Sequence, residues 1–508
     1  MEQIPILLYW ALALLAGLPL VSFQISLAAY FLLVHLKLTG VGYESAVALN
    51  LENAIAIVIV PTILLLRTRF AGFRLLKGNW AFRLWILFVL YCAAASFWSP
   101  FRLSAFKQLG YFYSFSVMVA VLAYAFHKEK EKTYRTILWC LFPTLLLALM
   151  QTFLFGNLSG GEADRLTTFA NPQAFGGYLA FTLAIILSFA DQRLYRKSLL
   201  ALLVAVILVF LYLNGSRSGM GGALLLLAAY GFMWGRSSQA YARLGMGLAY
   251  FNIAILLGWT LVSGVAGEFL PRNFVIQSNR ALQGAGVISG RVSFSDIGTF
   301  RFRLRMAETI LDRYSRKPLM NRVFGSGTSS AGELIALGFI QYRDYDRYSV
   351  DANRTAHNEF LRSLYEWGII GSMVFLAFVV SLIAGVVKIV RERRSLETWM
   401  PAGAVFVVVF LFFPVENILA ASGSPMGMGI SAVLGLLVAR SVKSSPRVQV
   451  SNPKAAFGVR RMGASPALRK APSWQPRVAA GRRTFAGRTA GNAGRTSGFD
   501  DHAEGEKL

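Results

Sequence analysis

Apolar runs long enough to cross a bilayer recur along this chain, and they leave it few architectures. They fall near 46–66, 82–99, 108–126, 135–155, 172–190, 198–213, 218–235, 243–265, 368–390, 400–414 and 425–440. About 18 apolar residues span ~30 Å of hydrocarbon as a helix. The runs are continuous rather than alternating, which selects helices over a β-barrel. Hydrophobic residues make up 55% of the 508 positions and charged residues 15%, against about a quarter charged in a soluble domain. The expected fold is all-α, a polytopic transmembrane helical bundle.

Basic connectors set the expected orientation, because short cytoplasmic loops collect Lys and Arg. Arg67, Arg69, Arg74 and Lys77 form one such connector, and Lys128, Lys130 and Lys132 form the next. Arg193, Arg196 and Lys197 follow, then Arg236 and Arg243, then Lys388, Arg391, Arg393 and Arg394. They alternate along the chain as one topology requires. The intervening loops 99–107, 156–171, 214–217, 266–367 and 415–424 then face the opposite side. The first apolar run begins near Ile4 with no Lys or Arg before it and no small-residue cleavage site, and reads as a retained span. If the 4–37 stretch crosses once the chain has about 12 spans and a cytoplasmic N-terminus; two short crossings give about 13.

This reading divides the chain into N-terminal spans (1–265), an external loop (266–367), C-terminal spans (368–440) and a basic tail (441–508). The chain has a net charge of +26, and the tail is basic in its own right, with 13 Lys and Arg against 4 Asp and Glu in a stretch where Arg, Gly, Ala, Ser and Pro dominate. Such a composition cannot bury a core and is expected to be disordered. Anionic membrane lipid is its expected partner, and nucleic acid is not. Cys92 and Cys140 both lie in apolar runs, which points to neither a disulfide framework nor a metal site.

The external loop is about 100 residues long, and loops of that length are usually functional or disordered. Phe302 to Tyr314 predicts an amphipathic helix with Leu304, Ala307, Ile310 and Leu311 on one side. Gly325-Ser326-Gly327 predicts a tight turn, and Ser330 to Phe339 a further short helix. The loop ends on His357-Asn358-Glu359, followed by Gly368-Ile369-Ile370-Gly371 and a long apolar run. Of the four histidines, His35, His127, His357 and His502, only His357 lies in a polar segment beside a span with several arginines nearby. Asp351, Glu359 and Glu366 are expected to pair with arginine rather than to act as bases.

Arginine at the external membrane edge runs against the cytoplasmic bias. Arg165 opens a loop ending Phe169-Ala170-Asn171-Pro172, Arg217 sits in the turn Asn214-Gly215-Ser216-Arg217-Ser218-Gly219, and Arg301, Arg303 and Arg305 lead the loop helix. A guanidinium holds two phosphate oxygens in one plane and stays charged at any working pH. Converging arginines at headgroup depth would suit a diphosphate. Each also has a plain reading, as a snorkelling, capping or solvating residue. No nucleotide-binding loop, dinucleotide Gly fingerprint or zinc motif appears. Neither a cofactor nor a metal is expected.

These motifs together resemble the O-antigen ligase and polymerase superfamily of bacterial inner-membrane glycosyltransferases. The resemblance rests on His357, Asn358, Gly368 and Gly371, on Ser216-Arg217, on the Arg165 to Pro172 loop, and on an Arg-led helix followed by Phe324-Gly325-Ser326-Gly327. The Trp that often follows the helix arginine is missing. Arg303 is preferred to Arg301 because Leu304 and Leu311 then fall on the apolar positions. The resemblance implies transfer of a glycan from undecaprenyl diphosphate on the periplasmic side of the inner membrane, without metal. The acceptor would be the lipid A core in a ligase or a second lipid-linked glycan in a polymerase, and the ligase is the leading expectation. It implies His357, Arg217 and Arg303 as catalytic residues, with Arg165, Arg301, Asn358, Ser216 and Asn171 binding substrate. A transporter is the competing class, and it predicts paired intramembrane charges and an internal repeat.

Overall fold

The computed structural model describes residues 22–36, 58–153, 168, 172–190, 197–235, 298–336, 358–393, 395–414 and 424–442. Among these no strand forms. The chain divides into two units, Met1–Ser444 and Ser445–Leu508, and the second lies outside the described residues. The first holds α1 (Phe23–Leu36), α2 (Val60–Arg67), α3 (Ala71–Leu76), α4 (Trp80–Ala95), α5 (Arg102–Phe153), α6 (Pro172–Ser188), α7 (Lys197–Asn214) and α8 (Arg217–Gly235). It continues with α9 (Gly298–Ser315), α10 (Leu319–Phe324), α11 (Glu333–Ala336), α12 (Glu359–Glu392), α13 (Leu396–Val407) and α14 (Pro425–Ser441). Among the described residues, three helical stretches are long and apolar enough to cross a membrane: Trp80–Trp98, Arg102–Gln151 and Glu359–Glu392. Shorter apolar helices occupy Phe23–His35, Gln173–Ser188, Ser198–Asn214, Leu396–Phe412 and Pro425–Ser441. The expected run at 243–265 lies outside the described residues.

Helix ends follow local chemistry. Asn79 caps α4 by accepting the Phe82 amide at 3.2 Å. α6 and α14 each open on a proline, whose missing N–H is unneeded in a first turn. The expected pair of spans 108–126 and 135–155 forms the two helical arms of α5, which meet at a kink at Glu129 (φ −133°, ψ 53°). The Lys128–Lys132 connector holds no glycine or proline, and its Lys and Glu are good helix formers. α12 also has two legs, which meet at Gly368 (φ 63°, ψ −166°).

Side-chain contacts fix which ends lie together. Gln24 at the start of α1 donates to Glu129 at 3.2 Å and accepts from Thr136 at 2.9 Å. Lys130 pairs with Glu397 at 2.9 Å, and Arg440 reaches the same carboxylate. Arg393 donates to the Val442 carbonyl at 3.5 Å. The ring of Phe189, just past α6, lies 4.1 Å from that of Tyr134. The chain near Lys130, Phe189, Arg393 and Arg440 thus gathers at one end, with the basic connectors at 128–132 and 388–393. At the other end, His35 Nδ1 meets Thr168 Oγ1 at 3.3 Å, Ser99 donates to the Thr328 carbonyl at 2.6 Å, and Glu359 N–H donates to the Phe413 carbonyl at 2.8 Å. α1 runs once from the first end to the second.

The core is a layer of aromatic rings joining α4, the first arm of α5 and α12. Trp85 packs against Phe112, Phe115 and Phe378 at 5.2–5.6 Å, and Phe88 against Trp367 and Phe375 at 4.8 and 5.3 Å. The Trp85 indole donates to Ser116 Oγ at 2.8 Å, so the buried N–H is satisfied.

Part of the external loop is helical as expected, but its packed face differs. In α9 the buried residues are Met306 and Ile310, whereas Leu304 and Leu311 stand 48% and 46% exposed. Apolar residues occur on two sides of this helix, and the partners Ala331, Leu334 and Tyr365 select the Met306 side. Ser330–Gly332 is a 3₁₀ turn leading into α11, where a single longer helix was expected.

Candidate functional site

The end opposite the basic connectors gathers most of the singled-out motifs. Asn358 caps α12: its Oδ1 accepts the Phe360 and Leu361 amides, both at 3.0 Å. That oxygen, expected to meet substrate, is therefore engaged in starting the helix. His357 immediately precedes the cap and lies outside the described residues, as do Arg165 and Asn171. A helix N-terminus carries partial positive charge, so the His357 position adjoins a field that favours anions.

Behind this cap lies a buried ion group. Arg362 is 1% exposed, and Glu359 and Glu366 are 0% exposed. The guanidinium meets Glu366 through Nε at 3.1 Å and Nη2 at 3.2 Å, and lies 3.8 Å from Glu359 Oε2. It also sits over the Trp367 ring, 5.4 Å from the centroid. Burial by itself would depress the arginine pKa, but Glu366 and then Glu359 outweigh it and hold the pKa above its usual value. The expected pairing of both glutamates with arginine is what forms here. Arg362 itself was not singled out in the sequence, although Glu359, Arg362 and Glu366 recur at i, i+3 and i+7, the spacing of one helix face.

The Phe324–Gly327 turn locks onto this segment. Gly325 (φ 82°) and Gly327 (φ 102°) take backbone conformations that side chains rarely adopt. Ser326 N–H donates to the Tyr365 carbonyl at 3.3 Å and Gly327 N–H to that of Glu366 at 2.9 Å. Ser329 N–H reaches Glu366 Oε2 at 2.9 Å. Thr328 Oγ1 accepts from the Trp367 indole at 3.1 Å and donates to the Cys92 carbonyl at 2.7 Å. Lys317 contacts Ser326 Oγ, lies 3.8 Å from the Tyr365 ring centroid and sits 3.5 Å from Glu333. Its pKa is lowered by burial, with Glu333 acting against that shift.

The Ser216-Arg217 turn stands at the same end. Gly215 (φ 65°) closes α7, and buried Ser216 caps α8 by accepting the Gly219 amide at 3.1 Å. Arg217 is the first residue of α8 and is exposed. A cation there opposes the helix dipole, so helix stability does not explain it. The turn packs on α6, where a Cβ on Gly176 would stand 2.4 Å from Ser216 Cβ. One turn further on, a Cβ on Gly222 would meet Phe412 at 3.4 Å. The neighbouring Phe413 carbonyl holds Glu359. Packing therefore connects the Arg217 turn to the α12 cap.

Arg303 is half-buried on α9, on the face that carries Met306 and Ile310. The apolar positions used to prefer it over Arg301 are the exposed ones, so it gains its place from Met306 instead. Arg301 is on the same helix, and its side chain lies outside the described residues.

No curated protein sequence matches the chain. The model of the family described as O-Antigen ligase matches residues 202–376. That stretch contains Ser216-Arg217, α9, the Phe324–Gly327 turn, His357-Asn358 and the Gly368–Gly371 step. The family implies a membrane enzyme of the glycosyltransferase type. Residues 202–376, about a third of the chain, are thus similar to the O-antigen ligase family.

Proposed function

We propose that the protein transfers a glycan from undecaprenyl diphosphate to a periplasmic acceptor at the inner membrane, with the lipid A core as acceptor. The observation that carries this reading is the packing that joins the Arg217 turn, through Phe412 and Phe413, to the capped helix that follows His357. Arg217 and the Asn358 cap, which directly follows His357 in the chain, then belong to one end of the bundle, opposite the basic connectors.

In the proposed reaction an acceptor hydroxyl oxygen attacks the anomeric carbon. The bond from that carbon to the phosphate oxygen breaks, and undecaprenyl diphosphate leaves with the electron pair. Arg217 and Arg303 hold the diphosphate and stabilise its developing charge. His357 takes the acceptor proton as a neutral imidazole; its ordinary pKa of about 6.5 suits that role near neutral pH. Arg165, Arg301, Ser216, Asn171 and Asn358 complete the substrate contacts, Asn358 through its cap. No step requires a metal, since the donor carries its own leaving group. The basic tail lies against anionic lipid.

The test is transfer by purified protein in bilayers, with lipid-linked glycan as donor and two acceptors supplied separately. Wild type should glycosylate lipid A core, and His357→Ala should bind donor yet transfer nothing. His357→Gln, which hydrogen-bonds but carries no proton, separates base catalysis from acceptor orientation. Chain lengthening on a second lipid-linked glycan, with no modification of lipid A core, would replace the ligase reading with the polymerase reading. Full transfer by His357→Ala would remove His357 from the mechanism.

A further inference from the structure

Short helix α10 lies outside the apolar runs, yet three of its apolar side chains are turned outward. None of its residues is buried; Leu319 and Met320 are 65% and 66% exposed, and Phe324 is 40% exposed. A water-facing loop would not ordinarily present three such residues together.

The position of α10 explains them. The Tyr91 hydroxyl donates to the Phe324 carbonyl at 2.8 Å and to the Trp367 carbonyl at 3.1 Å. Tyr91 belongs to the candidate span Trp80–Trp98, roughly 10 Å along the helix axis from its end at Trp98. On the other side, a Cβ on Gly368 would stand 2.4 Å from Gly325 N and 2.5 Å from the Val323 carbonyl oxygen. Gly368 is where the apolar leg of α12 begins. The C-terminus of α10 is thus seated between two membrane legs, below the end of one and at the start of the other.

The exposed surface continues past it. Ile369, Met373, Leu376 and Val380 form an exposed stripe along the apolar leg of α12, at the helical spacing of one face. That stripe is the lipid-facing surface of a membrane helix, and it begins at Ile369, directly after the glycine on which the C-terminus of α10 is seated. Arg316 precedes these residues and pairs with Asp312 at 2.7 Å, and half-buried Arg322 lies between Met320 and Phe324, so the exposed character of α10 is set by its three apolar side chains.

We infer that Leu319–Phe324 is an interfacial anchor, with Leu319, Met320 and Phe324 immersed at the headgroup–acyl boundary of the leaflet opposite the basic connectors. The anchor fixes the depth of the Gly325–Gly327 turn, which follows it directly in the chain. The inference stands apart from the glycan chemistry and needs only the membrane placement.

The experiment uses the full chain in nanodiscs containing phosphatidylglycerol, with a nitroxide on Met320→Cys. Cys92 and Cys140 are buried, and wild type carrying only these thiols gives the labelling background. Collisional relaxation by oxygen reports lipid, and by a water-soluble nickel chelate reports solvent. Met320→Cys should resemble a lipid control at Met373→Cys, with oxygen accessibility exceeding nickel. A loop control at Glu308→Cys should show the reverse. Nickel accessibility at Met320→Cys equal to that at Glu308→Cys would overturn the inference. Low accessibility to both reagents would also overturn it, because another protein surface would then cover the site.

Discussion

Replacing Arg362 by methionine removes the cation between two buried carboxylates and keeps the aliphatic volume. Glu359 and Glu366 are both fully buried, so neither can turn to water. Breaking a buried pair in this way costs ~3–5 kcal/mol. An independent figure comes from proton uptake. A glutamate with an ordinary pKa of about 4.3 that must stay neutral at pH 7 loses ~4 kcal/mol of folding free energy, but only ~1 kcal/mol at pH 5. The sign follows from the raised folded-state pKa in the variant: stability is retained at low pH and lost as pH rises. Arg362→Met should therefore melt well below wild type at pH 7 and close to it at pH 5, read by thermal unfolding in nanodiscs. Adding Glu359→Gln and Glu366→Gln should restore the melting temperature at pH 7, since neutral replacement of a buried ion group is often close to neutral in stability. A deficit in Arg362→Met of equal size at both pH values would refute the electrostatic account and leave only lost packing.

Gly368→Ala should prevent correct docking of the external turn, because φ is 63° and the new Cβ would stand 2.4 Å from Gly325 N; faster proteolysis within 319–330 is the readout. Arg217→Lys should lower transfer by about 10²-fold or more at normal membrane abundance, as lysine lacks the planar fork that holds two phosphate oxygens. The Tyr365 phenol is held above its ordinary 10.0 by burial and then by Glu333. The unfolded chain thus loses its proton first, and stability falls as pH rises past 10. Tyr365→Phe should flatten that decline in a pH series of melting temperatures.

The apolar helices were legible because length and apolarity act locally: the runs at 172–190, 198–213, 218–235 and 425–440 match α6, α7, α8 and α14 within a few residues. The Gly325–Gly327 turn was legible for the same reason, since glycine chemistry needs no distant partner, whereas the Gly368–Gly371 step was noted without the break at Gly368 that the structure shows. Long-range features were not. The burial of Arg362 depends on Ser329 and Thr328 closing over it from more than thirty positions away. Only that closure separates a buried ion group from an exposed helix pair with identical spacing. In α9 the pattern offers two apolar sides, and Tyr365 decides between them. The role of Asn358 was half legible: Asn before a helical run reads as a cap, but its place beside His357 drew attention to substrate instead.

Thr328 joins three parts of the chain at a single side chain and its carbonyl, through Trp367, Cys92 and Ser99. A corner held in this way does not open by itself. Swinging it outward would break three hydrogen bonds together and strip Glu366 of its amide partner, leaving buried polar groups unmet at ~1–3 kcal/mol each. The 324–330 turn is therefore a fixed wall rather than a lid. For the proposed reaction this wall is a preformed surface, so substrate entry past it requires no closure of the 324–330 turn.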